Sequence, residues 1–125
     1  MKKLYMMLTG ALCLVGAAHA DEAQHKQLVE NYCYAQSAAS VCDGLQMRMD
    51  TRGTVESIVG DKAGGQSSRY QQECLTGLNR AMEDEKNGVC ESAWRDFGCD
   101  GEKVKGLIQQ NPFKVNEPRL CRFEG

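Results

Sequence analysis

Apolar side chains in this chain return every three or four residues through most segments, and the period breaks at glycines. From Glu22 to Val41, Leu28, Val29, Tyr32, Cys33, Gln36 and Ala39 recur at helical steps among alanines. That pattern predicts a first helix, with Asp21 as its cap. Leu45, Met47 and Met49 predict a second helical piece reaching Arg52, where Gly53 interrupts it, and Thr54 reads as the N-cap of a further turn, Val55–Val59. Gly60–Ser67 has no period and reads as a loop. Ser68 and Gln71 then make a capping-box pattern, in which a hydroxyl and an amide satisfy the first free N–H groups of a helix. The third helix it predicts carries Tyr70, Cys74, Leu75, Leu78 and Met82 as its inward stripe and ends at Asn87-Gly88. A fourth is predicted over Val89–Phe97, with Cys90, Ala93, Trp94 and Phe97 on one side. A fifth, Glu102–Gln110, would bury Val104, Leu107 and Ile108 and stop at Asn111-Pro112, leaving an irregular tail from Phe113 to Gly125. No alternating run reaches strand length, so the expected class is all-α, a small single-domain protein of about four to five helices.

The start of the chain breaks this amphipathic pattern. Met1-Lys2-Lys3 is cationic, Leu4–Ala18 is uncharged and mostly apolar, and Ala18-His19-Ala20 offers small residues to a signal peptidase. The apolar stretch is about 15 residues, short of the roughly 20 that span a bilayer. Residues 1–20 therefore read as a cleaved Sec signal peptide and 21–125 as the mature domain, delivered to the periplasm, with release outside the cell also open to it. Cys13 does not mark a lipoprotein, because Leu12 occupies the position that wants a small residue. Cleavage leaves 105 residues and moves the formal net charge from −2 to −4. Such a mildly acidic surface, with signs interspersed, excludes nucleic acid as the expected partner. No later segment is apolar enough to span a membrane.

Export also fixes how the cysteines are read. Cys13 leaves with the signal, and Cys33, Cys42, Cys74, Cys90, Cys99 and Cys121 remain, an even set in a short exported chain. They predict up to three structural disulfides among 15 possible pairings. Zinc or thioredoxin-like chemistry would want C-x-x-C, which is missing. Nine residues along one helix separate Cys33 from Cys42 by about 13.5 Å, far beyond the roughly 4.4–6.8 Å between disulfide-bonded Cα atoms, so those two are not expected to pair. Gly98 would let Cys99 turn away from Cys90, leaving that pair open, and Cys121 is expected to pin the tail. Cys33–Gly44 and Cys90–Gly101 both read C-x8-C-D-G, a match too sparse to indicate a duplication.

Little catalytic chemistry remains. After cleavage the only histidine is His25, near the mature N-terminus and poorly placed to serve a triad or a metal. No cofactor and no metal site is expected. The glycine loop lacks the Walker lysine, since Gln66 stands before Ser67. Paired carboxylates are the surviving enzymatic option, with Glu30, Glu73, Glu91 and Asp96 beside apolar stripes. Four aromatic groups, Trp94, Phe97, Phe113 and Phe123, are the candidate contact residues; Trp94 and Phe97 read first as core, and Phe113 and Phe123, in the irregular tail, are the better contact candidates.

These features point to a binding protein and away from an enzyme: a small exported helical protein acting on another exported or envelope protein, as an inhibitor or immunity-type protein would. In size, export, helicity and paired cysteines the chain is similar to the helical immunity proteins that guard against secreted cell-wall amidases. That likeness carries no residue roles. The alternatives are a small envelope hydrolase using two carboxylates and a structural or stress-protective envelope protein.

Overall fold

α1 (Lys2–Val41) is followed by β1 (Leu45–Gln46), α2 (Thr51–Val59), α3 (Gln71–Asp84), α4 (Val89–Phe97) and β2 (Gln109–Gln110), with one 3-10 turn over Glu85–Asn87. The computed structural model describes the backbone of residues 2–125 and the side chains of residues 21–125, so the signal-peptide reading of residues 1–20 lies outside the described side chains. Among the described residues, no helix is long and apolar enough to cross a membrane.

The core is built round the second half of α1. Val29, Tyr32, Cys33, Tyr34, Ala35, Ala38 and Cys42 are all buried, and five consecutive residues, Asn31–Ala35, cover more than a full turn. A helix buried around its circumference must be packed from several sides. Here α2, α3 and α4 all lie against it. Val55, Val59, Ala63, Tyr70, Ala81, Val89, Ala93, Phe97, Leu107, Ile108 and Phe123 complete the cluster.

α3 meets α1 through its smallest residues. The expected stripe holds in part: Tyr70 is buried and Cys74 and Leu78 pack against the core, but Gly77 and Ala81 share the inward face, whereas Leu75 is 44% and Met82 55% exposed. A Cβ on Gly77 would overlap the carbonyl oxygen of Glu30, so the two backbones come together only because that atom is missing. The capping box does not form either. Tyr70 occupies the cap position with no side-chain bond. Ser68 Oγ instead accepts the N–H of Tyr70 and donates to the carbonyl of Lys62, tying the expected 60–67 loop to the start of α3.

Two expected helices are absent, each because a distant segment takes its backbone hydrogen bonds. Leu45 and Gln46 pair with Gln110 and Gln109 in a short antiparallel ladder, so residues 45–50 are not helical and α2 begins at Thr51. Thr54 lies inside α2, where its hydroxyl donates back to the carbonyl of Asp50. Residues 102–110 are not helical because their amides serve another helix. Glu102 donates to the carbonyl of Arg95, Lys103 and Val104 to that of Asp96, Gly106 to Gly98, and Ile108 to Phe97. The carbonyls that α4 leaves unpaired at its C-terminus are thus satisfied by a returning strand of chain. Gly106 makes the turn with φ +81°, and a Cβ there would lie 2.8 Å from the carbonyl oxygen of Arg122. Val104, Leu107 and Ile108 still pack inward, Val104 only partly.

Three disulfides join Cys33 to Cys74, Cys42 to Cys90 and Cys99 to Cys121. Cys33, within α1, and Cys42, just past its end, do not pair, and Cys121 ties the irregular tail to the end of α4. The two C-x8-C-D-G stretches are not equivalent, since Cys42 immediately follows α1 whereas Cys99 lies two residues beyond α4. Three disulfides mark an oxidising, extracytoplasmic environment.

Candidate binding surface

The four candidate contact aromatics separate into two classes. Phe97 is 0% and Phe123 5% exposed, which corrects their assignment to a surface. Phe97 sits at the inward end of α4 with its ring tilted against Tyr34, centroids 5.5 Å apart, and Phe123 is drawn under the core by the tail. Trp94 is half-buried, and Phe113 is 86% exposed.

Phe113 is held out by a fixed turn. Asn111 donates its N–H to the carbonyl of Gly44 (2.9 Å) and its side-chain amide to that of Asp43 (3.2 Å). Its Oδ1 accepts the N–H of Phe113 (3.0 Å), and its carbonyl accepts those of Lys114 and Val115 (3.1 and 3.0 Å). One asparagine therefore closes the turn and fastens it to the segment that follows α1. The short ladder between β1 and β2 lies immediately before it in the chain.

Beside this turn runs a groove of about 310 Å³, lined by the Cys42–Cys90 disulfide, Leu45, Trp94 and Val115, with Gln110, Asp43 and Glu91. The disulfide crosses from the end of α1 to the first turn of α4, so both walls are covalently linked. Trp94 stands one helical turn beyond Cys90 on the same face. Sequence reasoning named Trp94 and Phe113 and missed Leu45, Val115, Asp43 and Gln110. Asp43 and Leu45 lie 44 or more residues before α4 and Gln110 and Val115 lie 13 or more after it, so no local period links them.

A larger cavity of about 570 Å³ lies between Leu28 and His25 of α1, Ile58 of α2, Val104, and Arg122–Gly125. Its lining carries charges of both signs, from Lys105, Arg122 and Glu124. Arg122 is also paired with Asp50 at 3.3 Å. His25 lines this cavity.

The four candidate carboxylates are dispersed over three helices. Glu30 is bonded to Arg80 at 2.7 Å, and Arg80 in turn covers the ring of Tyr34. Asp96 is buried, which raises its pKa, but Arg95 at 3.1 Å and Lys103 at 3.6 Å outweigh burial and hold it below the usual carboxylate range. Glu73 has one buried oxygen without a hydrogen-bond partner. Glu91 is exposed, and of the four only it lines a described cavity. Among the described residues, no group of three or more His, Cys, Asp or Glu is arranged to hold a metal ion.

The resulting unit is a disulfide-stapled helical scaffold carrying a fixed aromatic turn beside an apolar groove. Comparison of the chain with protein-family models, with curated proteins and with solved structures yields no match.

Proposed function

We propose that this is a small exported protein that acts by binding another exported or envelope protein, in the manner of an inhibitor or immunity protein, after residues 1–20 are removed in the periplasm. The observation that carries this reading is Phe113, a large apolar side chain 86% exposed on a turn held by hydrogen bonds beside the Trp94 groove. An exposed phenylalanine on a mobile tail would lose conformational entropy on docking, whereas one on a fixed turn loses little. Aromatic anchors that enter a partner pocket typically contribute about 2 kcal/mol or more to binding.

The test is capture from periplasmic extract with the full chain, exported through its own leader and tagged at the C-terminus. The expected result is one stoichiometric partner, lost or weakened about 30-fold by Phe113→Ser, on bait whose N-terminal sequence starts at Asp21. No enrichment over an untagged control, or equal capture by the variant, would overturn the reading.

A further inference from the structure

The lining of the Trp94 groove has a chemical bias that its apolar content alone does not give it. Two carboxylates, Asp43 and Glu91, line it, and no basic side chain does. Both are exposed, and among the described residues neither takes part in an ion pair or a side-chain hydrogen bond. They come from different elements, Asp43 from the turn after α1 and Glu91 from the first turn of α4, and the Cys42–Cys90 bridge fixes the two elements to each other. The other charged groups nearby leave this bias intact. Arg95, next to Trp94 in sequence, is engaged with Asp96, and Lys114 belongs to the Phe113 turn but does not line the groove. Glu91 also complements the positive end of the α4 dipole, but Asp43 follows the C-terminal end of α1, where a negative charge is disfavoured.

The indole of Trp94 lines the same groove as these two acids. An aromatic face flanked by carboxylates attracts a cation twice over, through the ring quadrupole and through direct charge pairing. Leu45, Val115 and the disulfide sulfurs supply an apolar wall suited to the methylene stem of a long side chain. A cavity of about 310 Å³ accommodates one such side chain with its flanking backbone.

We infer that this groove receives a lysine or arginine side chain presented by an apolar segment of the partner, with Trp94 beneath the cation and Asp43 and Glu91 beside it. The inference rests on the proposed binding role and specifies its occupant. The net charge of −4 that follows removal of residues 1–20 would favour encounter with such a basic segment.

Trp94 is the only tryptophan, so its fluorescence reports on this groove alone. The exported, processed protein is titrated with a blocked Leu-Arg-Leu-Arg-Leu peptide and with its citrulline counterpart, which keeps the shape and removes the charge. The expected result is a saturable change in Trp94 emission with the arginine peptide, at least tenfold weaker with citrulline and weakening as salt rises. Asp43→Asn with Glu91→Gln should weaken arginine-peptide binding at least tenfold, with circular dichroism confirming the fold. Glu22→Gln with Glu124→Gln, neutralising two exposed acids near the opposite end of the mature part of α1, should leave it within twofold. Equal binding of both peptides, equal loss in the distant double variant, no emission change with either peptide, or a concentration-dependent emission shift without peptide that signals a second copy in the groove would each overturn the inference. Phe113-dependent capture of a partner surviving such an outcome would leave the binding role standing, whereas loss of capture alone would strike the role and not the groove chemistry.

Discussion

Tyr34 joins three separate contacts through one buried ring. Its hydroxyl donates to Asp84 Oδ2 at 2.6 Å, the guanidinium of Arg80 lies 5.1 Å from its centroid, and Phe97 packs on it from α4. Tyr34→Phe keeps the packing and leaves Asp84 without its donor, an expected loss of about 1.5–3 kcal/mol for a hydrogen bond to a charged acceptor. Burial first, and then the bond to Asp84, raise the phenol well above its ordinary value. A folded-state pKa above the unfolded one adds stability that is complete below about pH 10 and drains away as pH climbs beyond it. Urea titrations from pH 7 to 11 should show wild type losing stability steeply at the alkaline end. The phenylalanine variant should start lower and slope less, and parallel curves would sink this account. Gly77 gives a second test with an inverted sign. Glycine to alanine inside a helix ordinarily gains about 1 kcal/mol. Here the added methyl meets the Glu30 carbonyl of α1, so Gly77→Ala is expected to cost about 1–3 kcal/mol through overpacking, read as a lower melting temperature.

At the scale of the element, the helices were legible wherever their own apolar period decided them. The C-terminal end of α1 at Val41 and the full extent of α4, Val89–Phe97, follow directly from the spacing of Leu28 to Ala39 and of Val89 to Phe97. The errors arose where tertiary demands overrode that period. Residues 102–108 have helical spacing, yet their amides close the end of α4, an exchange no local window reveals. In α3 Gly77 and Ala81 share the inward face with Tyr70, Cys74 and Leu78, and a reading that ranks positions by side-chain size misses the two small residues and turns Leu75 and Met82 inward. Small residues four apart were the available signal that this face touches another backbone. The candidate surface was half legible. Trp94 and Phe113 were identified from their size among few aromatics, but Asp43, Leu45 and Val115 join them only through the Asn111 turn and a disulfide. Phe97 already lay on the apolar side of α4, whereas Phe123 looked equivalent to Phe113 because nothing local distinguishes a tail aromatic that returns to the core from one left outside.

For the molecule as a whole, the three bridges divide the work. The Cys33–Cys74 and Cys42–Cys90 bridges close stretches of 41 and 48 residues and hold α3 and α4 to α1, while Cys99–Cys121 closes 22 and fixes the tail. By chain-entropy reasoning each of the two long closures restricts the unfolded state by about 4 kcal/mol and the short one by somewhat less. The first two also interleave, because Cys42 lies within the segment that Cys33 and Cys74 enclose, and Cys90 lies outside it. A chain entering an oxidising compartment from its N-terminus exposes Cys33 and Cys42 before either native partner arrives, so an oxidant acting on thiols in order of emergence would make the wrong bond. α1 blocks that error: once helical, it holds the two thiols on opposite faces, about 13.5 Å apart along its axis. In such a passage the first helix would serve as a timer as well as a core element, keeping two thiols unspent until Cys74 and Cys90 follow. Ser37→Pro, which breaks α1 between them, should raise the yield of chains trapped with Cys33 bonded to Cys42, seen by acid quenching and peptide mapping during oxidative refolding. An unchanged species pattern would mean that reshuffling of bonds, and not the early helix, selects the native pairing.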